Sequence, residues 1–77
     1  MKLIRLIDLR EERDWKQTAV ASELHISQRA YSHYENGTRA IPIDILIQLA
    51  DLYNVSLDYI VGRTDVRSVY PPSSKKI

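Results

Sequence analysis

An all-α fold, a compact bundle of five helices, is what the sequence predicts, and three observations carry that expectation. Apolar residues recur at helical spacing in two separate stretches, Leu3 to Arg10 and Ile43 to Tyr53. Between them, Gln17 to Gly37 reads as two short helices joined by a tight turn, with Ser27 placed to cap the second. After Tyr53, Ser56 stands where a last short helix begins and Gly62 where it stops.

Leu3, Leu6, Ile7 and Arg10 repeat at i, i+3, i+4 and i+7, with Ile4 and Leu9 widening the stripe, so the first helix is expected from Lys2 to about Arg13. Asp14 takes a turn position, where aspartate tolerates unusual φ. Gln17 opens the second helix, whose Val20, Ala21 and Leu24 share a face. The small Ala21 lets the next helix approach closely, and Trp15 and Val20 have the spacing of a hydrophobic staple. Leu24-His25-Ile26-Ser27 is the turn. Ile26, just before the cap, and Tyr31, at the fourth helical position, form a second staple that fixes the angle at which the third helix departs. Asn36-Gly37 ends that helix, Gly37 being suited to positive φ, and Thr38-Arg39-Ala40-Ile41 is a loop. Pro42 marks the next boundary. Ile43, Leu46, Ile47, Leu49, Ala50 and Tyr53 make a fourth helix that is mostly core. In the last helix Val55 and Ile60 have staple spacing, and Leu57, Ile60 and Val61 cannot all turn inward on so short a segment, which leaves an apolar edge. No internal repeat is present. Residues 1–63 are therefore expected to form the domain and residues 64–77 a flexible or partly docked tail. Val66, Val69 and Tyr70 are its docking candidates, and Tyr70 to Lys76 lacks any periodicity.

The third helix carries the chemistry. At about 100° per residue, Ala30, Tyr31 and Tyr34 fall within one third of its circumference and form the buried face. Gln28, Arg29, Ser32, His33 and Asn36 cluster on the other side, with more hydrogen-bonding capacity than amphipathicity requires. Such a stripe can read base edges: a glutamine amide matches N7 and N6 of adenine, and an arginine fork matches O6 and N7 of guanine. Gln28 and Arg29 lead the helix into a major groove, and Ser32 and His33 lie one turn on, within reach of bases or phosphates. In the following loop a backbone N–H, Thr38 and Arg39 can hold the flanking phosphate. The competing reading of each is a solvated polar face.

Gln17, Ala21, Leu24, Ile26, Ser27-Gln28 and Glu35-Asn36-Gly37 stand in the pattern Q-x3-A-x2-L-x-[IV]-[ST]-Q-x6-E-N-G, which resembles the Cro and phage-repressor-type (XRE) helix-turn-helix family. Pro42, Ile43 to Tyr53, and Val55 to Gly62 look like its fourth and fifth helices, so the likeness covers roughly residues 3 to 63. It implies a phage-repressor type of DNA-binding domain with the helix-turn-helix at helices 2 and 3, and double-stranded DNA as partner. It also implies a bacterial, phage or mobile-element host. By the same resemblance Arg10 pairs with Glu35 while also reaching a phosphate, and Gln17 points at the DNA backbone from a helix N-terminus. Ser27, Asn36, Thr38 and Arg39 complete the backbone contacts, and Leu57, Ile60 and Val61 lie in the family's dimer seam. Three positions depart from the pattern. His25 replaces a frequent glycine at positive φ, Lys16 stands where a Ser or Thr cap usually precedes Gln17, and Tyr31 and Tyr34 replace aliphatic or indole residues, so each hydroxyl needs a partner.

Composition bounds the alternatives. Seventy-seven residues make one small core, for which a partner subunit is the expected source of added stability. No cysteine, and only two histidines, argue against a disulfide framework or a metal site. Charges interrupt the N-terminal segment and no long apolar run occurs, so no signal peptide or membrane span is expected and a cytoplasmic location is inferred. Net charge is only +1, with a pI near 8.0, below the value of about 9 that flags a nucleic-acid binder by itself. Its distribution is more telling: Ile43 to Gly62 carries three aspartates and no base, so those helices are expected to face away from phosphates. No catalytic constellation, cofactor motif or small-molecule ligand is implied. The leading expectation is a sequence-specific transcriptional regulator, most simply a dimeric repressor on a roughly palindromic operator. The alternative is an antitoxin or interaction module whose main partner is another protein.

Overall fold

The structure, a computed structural model, describes residues 3–69 and contains five α-helices there: α1 (Ile4–Glu12), α2 (Gln17–Glu23), α3 (Gln28–Asn36), α4 (Ile43–Tyr53) and α5 (Leu57–Ile60). Lys2, the expected start of the first helix, and Tyr70 to Lys76, the aperiodic part of the tail, lie outside the described residues. The first helix starts at Ile4, with Leu3 as its N-cap residue.

All five helices end in the same way. A residue of positive φ follows each one: Asp14 (56°), His25 (58°), Gly37 (75°), Asn54 (54°) and Gly62 (84°). Around each runs a pair of backbone bonds of the Schellman type, for example Ile26 N–H to the Ala21 carbonyl and His25 N–H to that of Ser22. Three of these five residues are not glycine. His, Asn and Asp are the side chains that best tolerate the left-handed region, which is why the turns close without it. Two helices also begin alike: the Ser27 hydroxyl accepts from Ala30 N–H at 3.1 Å and that of Ser56 from Tyr59 N–H at 3.0 Å.

The core joins Leu3, Leu6 and Leu9 to Val20, Ala21, Leu24, Tyr31, Leu49, Tyr53 and Ile60. Three expected members are displaced from it. Ile4 is 59% exposed because it lies about 160° around α1 from Leu6. Ile43 and Ile47 are 64% and 45% exposed: the buried arc of α4 runs through Ile45, Leu46, Leu49, Ala50 and Tyr53, and Ile47 falls on its far side. Ile60, by contrast, is wholly in the core, so the apolar edge of α5 is left to the half-buried Leu57 and Val61.

The described part of the tail is docked, though not through valines. Val66 and Val69 are exposed. Arg67 instead forms a two-pronged ion pair with Glu12, holding that carboxyl below its usual pKa, and its Nε donates to the Tyr59 hydroxyl at 3.1 Å. The Arg67 carbonyl accepts from Ser56 N–H at 3.0 Å. Arg5 lies over the Tyr59 ring, 4.3 Å from its centre, and bonds to the Thr64 carbonyl and Asp65. Trp15 stacks on Tyr53 at 5.7 Å, bracing the turn between α1 and α2.

Candidate nucleic-acid interface

Ser27 stops the chain in an extended conformation and starts α3 abruptly, so Gln28 and Arg29 occupy its exposed first turn. Tyr31 and Glu35 are the buried members of the helix; Ala30 and Tyr34 are half-buried. Gln28, Arg29 and Asn36 are exposed, and Ser32 and His33 half-buried, so the expected polar stripe does occupy the outer side.

Beneath it lies a chain of polar contacts that fixes the leading glutamine. Arg10 Nε and Nη2 donate to Glu35 Oε2 and Oε1, each at 3.0 Å, and Nη1 donates to the Trp15 carbonyl at 3.0 Å. The two side chains are 15% and 2% exposed, which makes this a buried ion pair with its hydrogen bonds in place. Gln17 Nε2 donates to the same Glu35 Oε1 at 3.2 Å, and Gln28 Nε2 donates to Gln17 Oε1 at 2.7 Å. The order of donors follows from chemistry. A carboxylate only accepts, so the NH2 of Gln17 must face Glu35 and its oxygen must face outward. That oxygen in turn selects the NH2 of Gln28, leaving Gln28 with its oxygen and one N–H directed away from the body. Those are the acceptor and donor that adenine N6 and N7 require.

Burial works against the Glu35 charge, but Arg10 first, then the nearby Tyr31 hydroxyl and Gln17, outweigh it and keep the carboxyl below its usual pKa range. The Tyr31 and Tyr53 hydroxyls are also buried. Neither closes a hydrogen bond of normal geometry among the described residues, although Tyr31 approaches Glu35 closely enough to feel its charge. Burial pushes both phenols up; for Tyr31 the Glu35 carboxylate adds to it, and for Tyr53 the neighbouring Tyr31 hydroxyl offsets part of it.

The other expected contact residues divide into committed and open groups. Arg10 is committed to Glu35 and Trp15, which makes it a support behind Gln17 rather than an open cation. The Ser27 oxygen accepts the cap bond while its proton stays available to a phosphate. At the far end Asn36 Nδ2 donates to Ser32 Oγ at 3.4 Å, and His33 Nδ1 lies 2.8 Å from Thr38 Oγ1. Arg29 and Arg39 are exposed with no side-chain partner among the described residues. The Gln17–Gln28 and His33–Thr38 contacts have no signal in the sequence; nothing in a spacing of eleven or five residues announces them. Among the described residues no three His, Asp or Glu side chains converge as a metal site, and no helix is long and apolar enough to cross a membrane.

Residues 6–60 match the family model described as helix-turn-helix. The chain is 34% identical over 71 residues to the HTH-type transcriptional regulator AnsR of Bacillus subtilis, covering 92% of this chain and 61% of that protein. It is 37% identical over 62 residues to the HTH-type transcriptional regulator ImmR of the same organism, covering 80% of this chain and 49% of the relative. A putative HTH-type transcriptional regulatory protein of Halorubrum lacusprofundi is 41% identical over 73 residues, 90% of this chain and 22% of its own length. The chain thus spans between about a fifth and three fifths of these relatives.

Proposed function

Because this chain belongs to the Cro/C1-type (XRE) helix-turn-helix family, we propose that it is a sequence-specific regulator of transcription. In this reading α3 lies in the major groove of double-stranded DNA, and a dimer occludes a promoter. The observation that carries the reading is the outward amide of Gln28, oriented through Gln17 by the buried Arg10–Glu35 pair, beside the exposed Arg29, which has no side-chain partner among the described residues. Gln28 and Arg29 read bases, and Ser32 and His33 extend the reading by one turn. Ser27, Asn36, Gln17 and Arg39 sit around the rim, suited to phosphates. The aspartates of α4 and α5 are set on other helices, and the low net charge gives modest non-specific affinity with a shallow salt dependence.

In this reading two copies join along the apolar edge of Leu57 and Val61, and binding to successive major grooves requires their α3 helices to lie about 34 Å apart, one turn of duplex. Exposed Ile47 and Val69 border the groove beside α5 and favour a second reading, in which that surface serves a different protein partner. Selection of bound sequences from a random duplex library, with the mass in solution measured alongside, tests both. A dimer that enriches a palindrome with half-sites one helical turn apart supports the regulator. A folded protein that enriches no sequence and co-purifies with a stoichiometric partner contradicts it.

A further inference from the structure

His33 and Thr38 meet where α3 gives way to the loop. His33 Nδ1 lies 2.8 Å from Thr38 Oγ1, and that same oxygen lies 3.3 Å from the His33 carbonyl. A threonine hydroxyl has one proton and so donates to one of them only. The carbonyl already accepts two backbone donors, the Gly37 N–H and the Thr38 N–H, the latter at 3.1 Å. Both of its lone pairs are engaged, and 3.3 Å is long for a hydroxyl donor. The ring nitrogen has no other partner among the described residues, and 2.8 Å is an ordinary hydrogen-bond length. Donation to the carbonyl, with Nδ1–H donating to Oγ1, is the alternative, and the shorter contact and the occupied carbonyl favour a proton on the line from Oγ1 to Nδ1.

We infer that Thr38 is a positioning residue: its hydroxyl donates to Nδ1 of His33, holds the neutral ring in the Nε2–H form, and so makes His33 a hydrogen-bond donor that selects guanine. This rests on the reading of α3 as the groove-facing helix. Guanine shows two adjacent acceptors, O6 and N7, in the major groove, whereas adenine sets an amino donor beside its N7, thymine shows O4 alone beside a methyl group, and cytosine shows an amino donor that an N–H cannot meet. The opposite tautomer would present a bare nitrogen and favour the amino groups of cytosine or adenine. Thr38 is thereby removed from the phosphate contacts expected of it, since its only proton is in use.

Nitrogen chemical shifts of His33 in the free 77-residue protein, taken at alkaline pH where imidazole is neutral, decide the tautomer without any DNA. The expected spectrum shows Nε2 protonated and Nδ1 bare and hydrogen-bonded. Thr38→Val shifts Nδ1 towards a mixture of forms, and Thr38→Ser restores the wild-type pattern. A protonated Nδ1 in the neutral wild-type ring overturns the inference while leaving the DNA reading intact. Duplex selection supplies the second arm. Guanine is expected at the base pair lost from the preference by His33→Ala, and Thr38→Val lowers discrimination there by about three- to tenfold. Loss of affinity on all sequences alike, with discrimination kept, marks Thr38 as a phosphate contact and overturns the proposal. An A·T pair at that position overturns it too. Failure to select any sequence counts against the DNA reading and the guanine assignment together, with the spectrum still deciding the tautomer.

Discussion

The turn between α2 and α3 and the turn between α4 and α5 are the same piece of backbone used twice. Leu24-His25-Ile26-Ser27 and Tyr53-Asn54-Val55-Ser56 each pass through one residue at positive φ, 58° and 54°, and then a serine cap with ψ of 152°. The same backbone bonds recur, Ile26 N–H to Ala21 at 3.1 Å and Val55 N–H to Ala50 at 3.0 Å, although serine is the only identity between the two tetrapeptides. The residues after the serine differ completely. Gln28 and Arg29 are exposed and hydrogen-bonding; Leu57 and Asp58 are half-buried, and Tyr59 and Ile60 enter the core. The turn is thus a folding device, and the chemistry resides in the helix face that it aims.

The sharpest way to separate the two units is to remove the pair that only the first possesses. Glu35→Ala leaves the Arg10 guanidinium buried without its counter-charge and is expected to cost about 3–5 kcal/mol of stability, measured by urea unfolding. A loss below about 1 kcal/mol places the pair among ordinary surface bridges. Titration reports on the same group. The Glu35 carboxyl is depressed in the folded protein, so its contribution is complete above the unfolded value of about 4.3 and is lost as pH falls from there towards the folded value. Tyr31 and Tyr53 are raised, so stability also declines as pH rises above about 10, where the unfolded phenols ionise. A stability curve flat from about pH 3 to about pH 11 contradicts both assignments.

Gln28→Ala comes next, with about 1–3 kcal/mol of affinity lost on the selected duplex and little change in melting temperature. The capping serines then test the comparison itself. Ser27→Ala and Ser56→Ala should each remove about 1 kcal/mol of stability. Only the former should also weaken DNA binding once the folded fraction is accounted for; equal effects on binding would erase the distinction between the units. The smallest effect belongs to the turn residues. His25→Gly is expected to stabilise by a few tenths of a kcal/mol and Asn54→Gly by less, because asparagine already accepts the left-handed region well, as a pair of thermal melts will show.

Much of this is legible in the sequence because it is local. The caps at Ser27 and Ser56, the positive φ at Asp14, His25 and Gly37, and the outer stripe of α3 each depend on residues within one turn of one another. The left-handed Asn54 is a local feature that the sequence reading does not identify, although it precedes an apolar residue and a serine as His25 does. Long-range pairings lie beyond such signals. Arg5 and Arg67 embrace Tyr59 from opposite ends of the chain, and nothing in either neighbourhood marks them. Ile43 and Ile47 read as core because periodicity names the apolar residues of a helix, but only the neighbouring helices decide how wide an arc they cover. The expected dimer edge loses Ile60 for the same reason.

The most direct test of the central claim is the affinity of wild type and Arg29→Ala for the selected duplex and for each of its single-base-pair variants. If the outer face of α3 reads bases, Arg29→Ala loses about 1–3 kcal/mol, and its discrimination disappears at one base pair per half-site while the other positions keep theirs. A uniform loss across every variant, with the pattern of preference unchanged, would make Arg29 a phosphate contact and contradict the placement of α3 in the groove.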